Sequence, residues 1–302
     1  VNSIWPAFYF LKHNVAKEHE ETYYLRISSE SSLSFSLAIE QLSTLLVSER
    51  NYFIFLGLFL GFLVVAILYH LILYFLTYDK NCIYYIVFFF ICIIWQTSLE
   101  GLSYLLFWPE FPWINNYILI TFLFLVMLSS IMFTASFLNI AHHFPRINRL
   151  TEILLAIIML LYLFCIGQEY KTAIKITTAA AFIVPAILLS ITTFVLIKFK
   201  GRSKASLQYL FGWTIFMIST IILALSKMGF IPGTFLWSHA QQLGICVSAI
   251  SFAAAINYRF SLLNKEKEAV VISSNQKFSQ MNKMLHQTNL ELKNVNEKIA
   301  RL

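Results

Sequence analysis

Long apolar stretches alternate with short polar breaks over most of this chain, between residues 52 and 262. Seven stretches are long enough for membrane-spanning helices, because a hydrocarbon core about 30 Å thick needs about 20 apolar residues. The predicted spans cover residues 52–77, 82–107, 115–140, 150–167, 173–197, 206–228 and 235–262. Since the breaks are short, consecutive spans are expected to be antiparallel neighbours in one bundle, residues 50–263.

A different pattern precedes the bundle. Between Thr22 and Glu40, apolar residues alternate with polar ones on both sides of a polar turn at residues 28–31. A period of two is typical of strands, so the segment is predicted to be a β-hairpin with one buried face. Because an isolated hairpin is only marginally stable in water, we interpret residues 1–49 as the end of a larger extracellular β-domain. The chain is therefore expected to be part of a longer protein.

A third pattern follows the bundle, in residues 264–302. From Val271 onward, apolar residues recur at alternating steps of three and four, which is the heptad repeat of a coiled coil. The predicted core is Val271, Phe278, Met281, Leu285, Thr288, Leu292, Val295, Ile299 and Leu302, with Ser274 as a further polar position. The mean step of 3.5 favours a parallel homodimer over an amphipathic helix lying on the bundle or on the membrane.

Composition and charge agree with a membrane protein. Of the 302 residues, 59% are hydrophobic and 12% are charged, against about 25% charged in soluble domains. With the N-terminus outside, ten basic residues lie near the inner ends of the spans and four near the outer ends. This bias predicts an extracellular N-terminus and a cytoplasmic C-terminus. The net charge of +7 is then explained by anionic lipid, and no nucleic acid partner is predicted.

Few ionisable residues lie within the spans, where they are costly and often functional. Five polar residues near the outer ends could form one cluster: Glu100, Lys227, His239, Gln241 and Gln242. The cluster either carries ligand or signal, or is a rim of side chains that reach towards water. His70 lies about two thirds of the way down the first span, so it is not expected to share a ligand with His239.

Two features predict how the helices pack. Gly57 and Gly61 form a Gly-x-x-x-Gly motif, which permits close helix contact. Packing within the bundle is the favoured interpretation of this motif, and dimerisation is the alternative. Pro185 interrupts the fifth span and predicts a bend, either as a fixed kink or as a gating hinge.

Several kinds of chemistry are excluded by missing residues. Asp79 is the only aspartate, whereas an intramembrane aspartyl protease needs two, and the zinc, serine-nucleophile and phosphate-loop motifs are absent. No lysine occurs between residues 235 and 262, so a retinal Schiff base has no attachment point there. The four cysteines lie in or beside apolar runs and are interpreted as small hydrophobic residues. No catalytic residue, cofactor or metal site is therefore predicted.

Local motifs add a resemblance to these patterns. They are Leu68-Tyr69-His70 in the first span, Glu100-Gly101 with Trp108-Pro109, Phe137-Leu138-Asn139 in the third span, and Gln242-Leu243-Gly244 in the seventh. With a β-domain outside and a signalling helix inside, the chain resembles the bacterial seven-transmembrane receptors with diverse intracellular signalling modules. It differs from many of them at Ser248, where they have an acidic residue.

The resemblance implies a sensor in the bacterial inner membrane. Its extracellular part would bind a small ligand, with carbohydrate as one class. Its cytoplasmic output beyond Leu302 would be a nucleotide cyclase or a histidine kinase, and less often a phosphatase. The alternative is a small-molecule or lipid transporter with a regulatory tail. The expected fold is an all-α seven-helix membrane bundle, with a β-hairpin before it and a coiled-coil helix after it.

Overall fold

The computed structural model describes residues 2–5, 8–10, 42–198, 204–227, 229–231 and 234–299. In this part of the chain, two short strands precede ten helices. The strands β1 (Asn2–Trp5) and β2 (Phe8–Phe10) pair antiparallel. The helices are α1 (Leu42–Thr77), α2 (Lys80–Leu99), α3 (Leu102–Phe107), α4 (Pro112–Phe137), α5 (Ile140–His143), α6 (Pro145–Ile166), α7 (Tyr170–Lys198), α8 (Lys204–Lys227), α9 (Phe235–Ser238) and α10 (Ala240–Ile299). The hairpin predicted at residues 22–40 lies outside the described residues.

Seven of the described helices are long and apolar enough to cross a membrane: α1, α2, α4, α6, α7, α8 and α10. The seven predicted spans are thereby confirmed as helices. Two of them are interrupted, in contrast to the prediction. The span predicted at 82–107 ends as α2 and resumes as α3, because Gly101 between them has a φ of +76°, which few other residues adopt. The span predicted at 235–262 is interrupted at His239, between α9 and α10.

The centre of the bundle is filled by aromatic side chains from four helices. The ring centroid of Phe88 in α2 lies 6.3 Å from that of Phe133 in α4 and 5.7 Å from that of Trp213 in α8. It lies 6.4 Å from the ring centroid of Phe252 in α10. All four side chains are fully buried. Offset and edge-to-face contacts of this kind add to the free energy of burial, so this aromatic core stabilises the bundle.

Side-chain hydrogen bonds also connect neighbouring helices of the bundle. The side chain of Ser136 in α4 donates to Oδ1 of Asn81 in α2 at 2.9 Å. Ser248 of α10 donates to the backbone carbonyl of Gly212 in α8 at 2.9 Å, and Ser251 donates to the carbonyl of Gln208. The hydroxyl of Ser248 therefore connects α10 to α8.

Gly57 and Gly61 lie on the exposed face of α1. A Cβ added at either residue would meet nothing within 4 Å among the described atoms. The expectation that this motif packs within the bundle is therefore not met by the described residues. Pro185 is buried in α7, and this helix continues through it from Tyr170 to Lys198.

The chain divides into two units, Val1–Ala255 and Ile256–Leu302. In the second unit, the chain is helical up to Ile299. Six of the nine predicted coiled-coil core residues are more than half exposed in the single chain: Val271, Phe278, Met281, Leu285, Leu292 and Ile299. Leu302 and the side chain of Val295 lie outside the described part of the structure. The helix is thus as predicted, and the pairing of two such helices stays a prediction.

Candidate functional site: a polar cluster around Glu100

Glu100 lies where α2 ends. Its backbone N–H donates to the carbonyl of Gln96 at 3.1 Å, and the chain then turns at Gly101. A helix C-terminus carries partial negative charge, which disfavours a nearby carboxylate. Glu100 therefore needs hydrogen-bond donors from elsewhere in the bundle.

Three donors from three helices supply this need. The hydroxyl of Tyr52 in α1 donates to Oε2 of Glu100 at 2.9 Å. Nε2 of Gln242 in α10 donates to Oε1 at 2.9 Å, and Nε2 of Gln96 in α2 donates to the same oxygen at 3.2 Å. Hydrogen bonds to a charged acceptor each contribute about 1.5–3 kcal/mol. The carboxyl group of Glu100 thus connects α1, α2 and α10, and we call these four residues the Glu100 cluster.

His239 borders the cluster through aromatic contacts. Its Nδ1 lies 2.8 Å from the carbonyl oxygen of Phe235, and its ring stacks on that of Phe235 with centroids 4.3 Å apart. The rings of Phe55 and Tyr52 lie 4.7 Å and 5.8 Å from it. His239 therefore touches the cluster through Tyr52, and it also marks the interruption between α9 and α10.

The buried amides in the Glu100 cluster and of its neighbour Gln241 keep part of their hydrogen-bonding capacity unused. Gln96, Gln241 and Gln242 are each 1% exposed. Both amide atoms of Gln241 lack a hydrogen-bond partner in the described structure, as does Oε1 of Gln96 and of Gln242. A buried polar group without a partner costs about 1–3 kcal/mol. These atoms are free to form hydrogen bonds in a different arrangement of the helices.

The polar cluster predicted from the sequence is only partly assembled in the structure. The structure brings Glu100 and Gln242 into direct contact and places His239 at the edge through Tyr52. Gln241 is buried but makes no hydrogen bond through its amide among the described residues. The side chain of Lys227 lies outside the described part. Two members, Tyr52 and Gln96, were not predicted. Gln96 precedes Glu100 by four residues, a spacing at which helical side chains meet, so this partner could have been found.

His70 belongs to a separate environment near the other end of α1. It is fully buried, its Nδ1 lies 2.9 Å from the carbonyl oxygen of Ala66, and its ring stacks on Tyr85 at 3.7 Å. His239 lies against Phe55, fifteen residues before His70. At a rise of about 1.5 Å per residue, these two points on α1 are about 22 Å apart. The two histidines therefore do not share a ligand.

The arrangement can bind and orient polar groups. Among the described residues, no three His, Cys, Asp or Glu side chains lie close enough to hold a metal ion. What the Glu100 cluster offers is a carboxyl group held by neutral donors from separate helices. A change in any donor would alter how α1 and α10 pack against α2.

Seven apolar helices around an aromatic core define a multi-pass membrane protein. The family model described as 7TM diverse intracellular signalling, 7TMR-DISM_7TM, matches residues 52–259. The chain belongs to this family, and the resemblance stated from local motifs is confirmed. Membership points to a membrane sensory domain. No curated protein and no solved structure matches the chain.

Proposed function

We propose that this protein is a transmembrane receptor that senses an extracellular small ligand and passes the signal through α10 to a cytoplasmic output enzyme. The Glu100 cluster is the observation that carries the proposal, because one carboxyl group connects Tyr52 of α1 to Gln242 near the start of α10. Signalling needs an element with two states that both ends can bias. A helix that changes its partners at Glu100 is such an element.

The proposed orientation places the Glu100 cluster at the extracellular side of the membrane. The basic residues near the span ends support it, since ten lie on one side and four on the other. With the N-terminus outside, the cluster faces the side from which a ligand would arrive. The proposed location is the inner membrane of a bacterium.

The proposed partner inside the cell is a second copy of this chain. In the helix after residue 263, the heptad positions Phe278, Met281, Leu285 and Leu292 are all more than half exposed. Burying such residues is favourable at about 25 cal/mol per Å² of apolar surface, and the heptad spacing fits an identical helix. The polar positions Ser274 and Thr288 weaken the core locally, which allows a coiled coil to change register or rotate at modest cost.

The output reaction is proposed to lie in a module that follows the coiled coil. By the family's character, a nucleotide cyclase or a histidine kinase is proposed ahead of a phosphatase. The proposal assigns no catalysis to residues 1–302. A transporter would be expected to have a polar site at the bilayer midplane, whereas fully buried aromatic rings such as Phe88 and Trp213 fill the centre of this bundle.

Cysteine cross-linking in native membranes tests the proposed dimer. Leu285 is a core position of the heptad, and Lys283 is a matched control because it is exposed on the opposite side of the same helix turn. We expect Leu285→Cys to form a disulfide dimer rapidly and Lys283→Cys to form little. Equal yields at both positions would contradict a paired coiled coil in this register.

Output activity of the full-length protein tests the role of the cluster. Glu100→Gln keeps the shape of the side chain and removes its charge, and Glu110→Gln makes the same change at an exposed loop residue. We expect Glu100→Gln to change the activity in the absence of stimulus and Glu110→Gln to leave it unchanged. Identical activities and identical responses to stimulus in both variants would contradict the proposal.

A further inference from the structure

A second concave site lies apart from the Glu100 cluster, where the start of α4, the end of α6 and the start of α7 meet. It is a cavity of about 220 Å³. Its floor includes Ile120, Cys165 and Ala173, which are at most 6% exposed. For comparison, an engineered protein cavity of about 150 Å³ with an apolar lining binds benzene. The cavity in this bundle therefore has room for a ring and a substituent.

The walls of the cavity are held in place by contacts between helices. The side chain of Tyr162 in α6 is inserted beside α4, where its hydroxyl lies 3.2 Å from Oγ1 of Thr121. Its ring centroid lies 5.3 Å from that of Phe124. Thr121 is itself part of the cavity wall. The phenol ring of Tyr162 therefore packs against α4 beside the cavity.

The rim of the cavity offers hydrogen bonds without charge. Asn116 and Gln168 line it, and neither side-chain amide makes a hydrogen bond within the described structure. Each amide can donate and accept. None of the described residues that line the cavity is Asp, Glu, Lys, Arg or His. A charged ligand would therefore lose hydration without gaining an opposite charge, whereas a neutral polar group would gain partners.

We propose that this cavity binds a neutral molecule of one or two aromatic rings that carries a hydroxyl or ring N–H group. The ring lies against Ile120, Cys165 and Ala173, and its polar group bonds to the amides of Asn116 and Gln168. Such molecules reach the cavity either from water or from the membrane interface, since they have an apolar body and a polar tip. This site is independent of the proposed signalling role, because its occupancy can be measured by binding alone.

The test uses 4-fluorophenol as the probe compound and follows its fluorine NMR signal with the full chain in lipid nanodiscs. Empty nanodiscs measure partition into lipid. Ala173→Leu fills the cavity, and Ala179→Leu is the matched control, since Ala179 is exposed on the same helix and outside the lining. We expect saturable binding to the wild-type chain and to Ala179→Leu, and no saturable binding to Ala173→Leu.

A second variant tests the proposal even if Ala173→Leu disturbs the folding of the bundle. Asn116→Ala removes an amide and leaves the space, so fluorobenzene, which lacks the hydroxyl, should bind it as well as it binds the wild-type chain. Binding of 4-fluorophenol should weaken about threefold to tenfold, the equivalent of one hydrogen bond. A non-saturable signal, or equal signals from the wild-type chain, Ala173→Leu and empty nanodiscs, would overturn the proposal. So would an unchanged affinity for 4-fluorophenol in Asn116→Ala.

Discussion

Removal of the Tyr52 hydroxyl group tests the Glu100 cluster most cleanly. Tyr52→Phe keeps the ring, which contacts His239, and deletes only the donor that lies 2.9 Å from Oε2 of Glu100. A hydrogen bond to a charged group contributes about 1.5–3 kcal/mol. Because Glu100 is only half-buried, water can replace part of the lost bond. We therefore expect a loss of about 1.5 kcal/mol in the free energy of unfolding.

The assay is reversible unfolding of the bundle in mixed micelles, followed by the loss of helical circular dichroism. Tyr78→Phe is the matched control, because Tyr78 is 74% exposed at the end of α1. Substitutions at such positions usually change stability by no more than about 0.5 kcal/mol. The difference between the two variants, rather than either value alone, reports the hydrogen bond.

A double-mutant cycle isolates the interaction itself. Tyr52→Phe is combined with Glu100→Gln, and residues in direct contact typically show a coupling energy of about 0.5–3 kcal/mol. We expect a coupling of about 1 kcal/mol or more, because each single change removes the same charge-assisted bond. Additive effects within about 0.3 kcal/mol, or equal losses in Tyr52→Phe and Tyr78→Phe, would refute the reasoning.

Three further predictions follow from other contacts. Gly244→Ala should destabilise the bundle by about 1–3 kcal/mol, because the added Cβ would overlap a side chain of α8, whereas Gly57→Ala should be tolerated in the same unfolding assay. Asn81→Ala should cost about 0.5–1.5 kcal/mol in that assay, since it removes the acceptor of the hydrogen bond from the half-buried hydroxyl of Ser136. Thr288→Leu should lock the output activity of the full-length protein in one state, and a normal response to stimulus would contradict this.

The spans could be predicted from the sequence because the bilayer imposes one length on every apolar helix. The interruptions at Gly101 and His239 were not predicted, because the apolar sequence resumes within a few residues on both sides of each polar break. The sequence also does not show which face of a span is buried in the bundle. In a membrane helix, the lipid-facing and protein-facing sides are both apolar, so periodicity does not separate them. This is why Gly57 and Gly61 were expected inside the bundle and lie on its exposed face.

The candidate site was predictable only where polar residues stand out from an apolar background. Glu100 and Gln242 did so, and the structure joins them. Tyr52 did not, because tyrosine is common near the ends of membrane spans and gives no sign of its partner. The cavity lined by Ile120 lies between three helices, and the space between helices follows from packing in three dimensions.

The central claim is that the state of the Glu100 cluster is transmitted to the helix that follows residue 263. The most direct measurement is the distance between spin labels at Lys283→Cys in the two copies of a nanodisc-embedded dimer. The distance is measured in three chains that carry Lys283→Cys: one otherwise wild-type, one with Glu100→Gln and one with Glu110→Gln. A chain that keeps Lys283 measures the signal from labels on the native cysteines. The account predicts a shifted distance distribution in Glu100→Gln and an unchanged one in Glu110→Gln. Three superimposable distributions would contradict it.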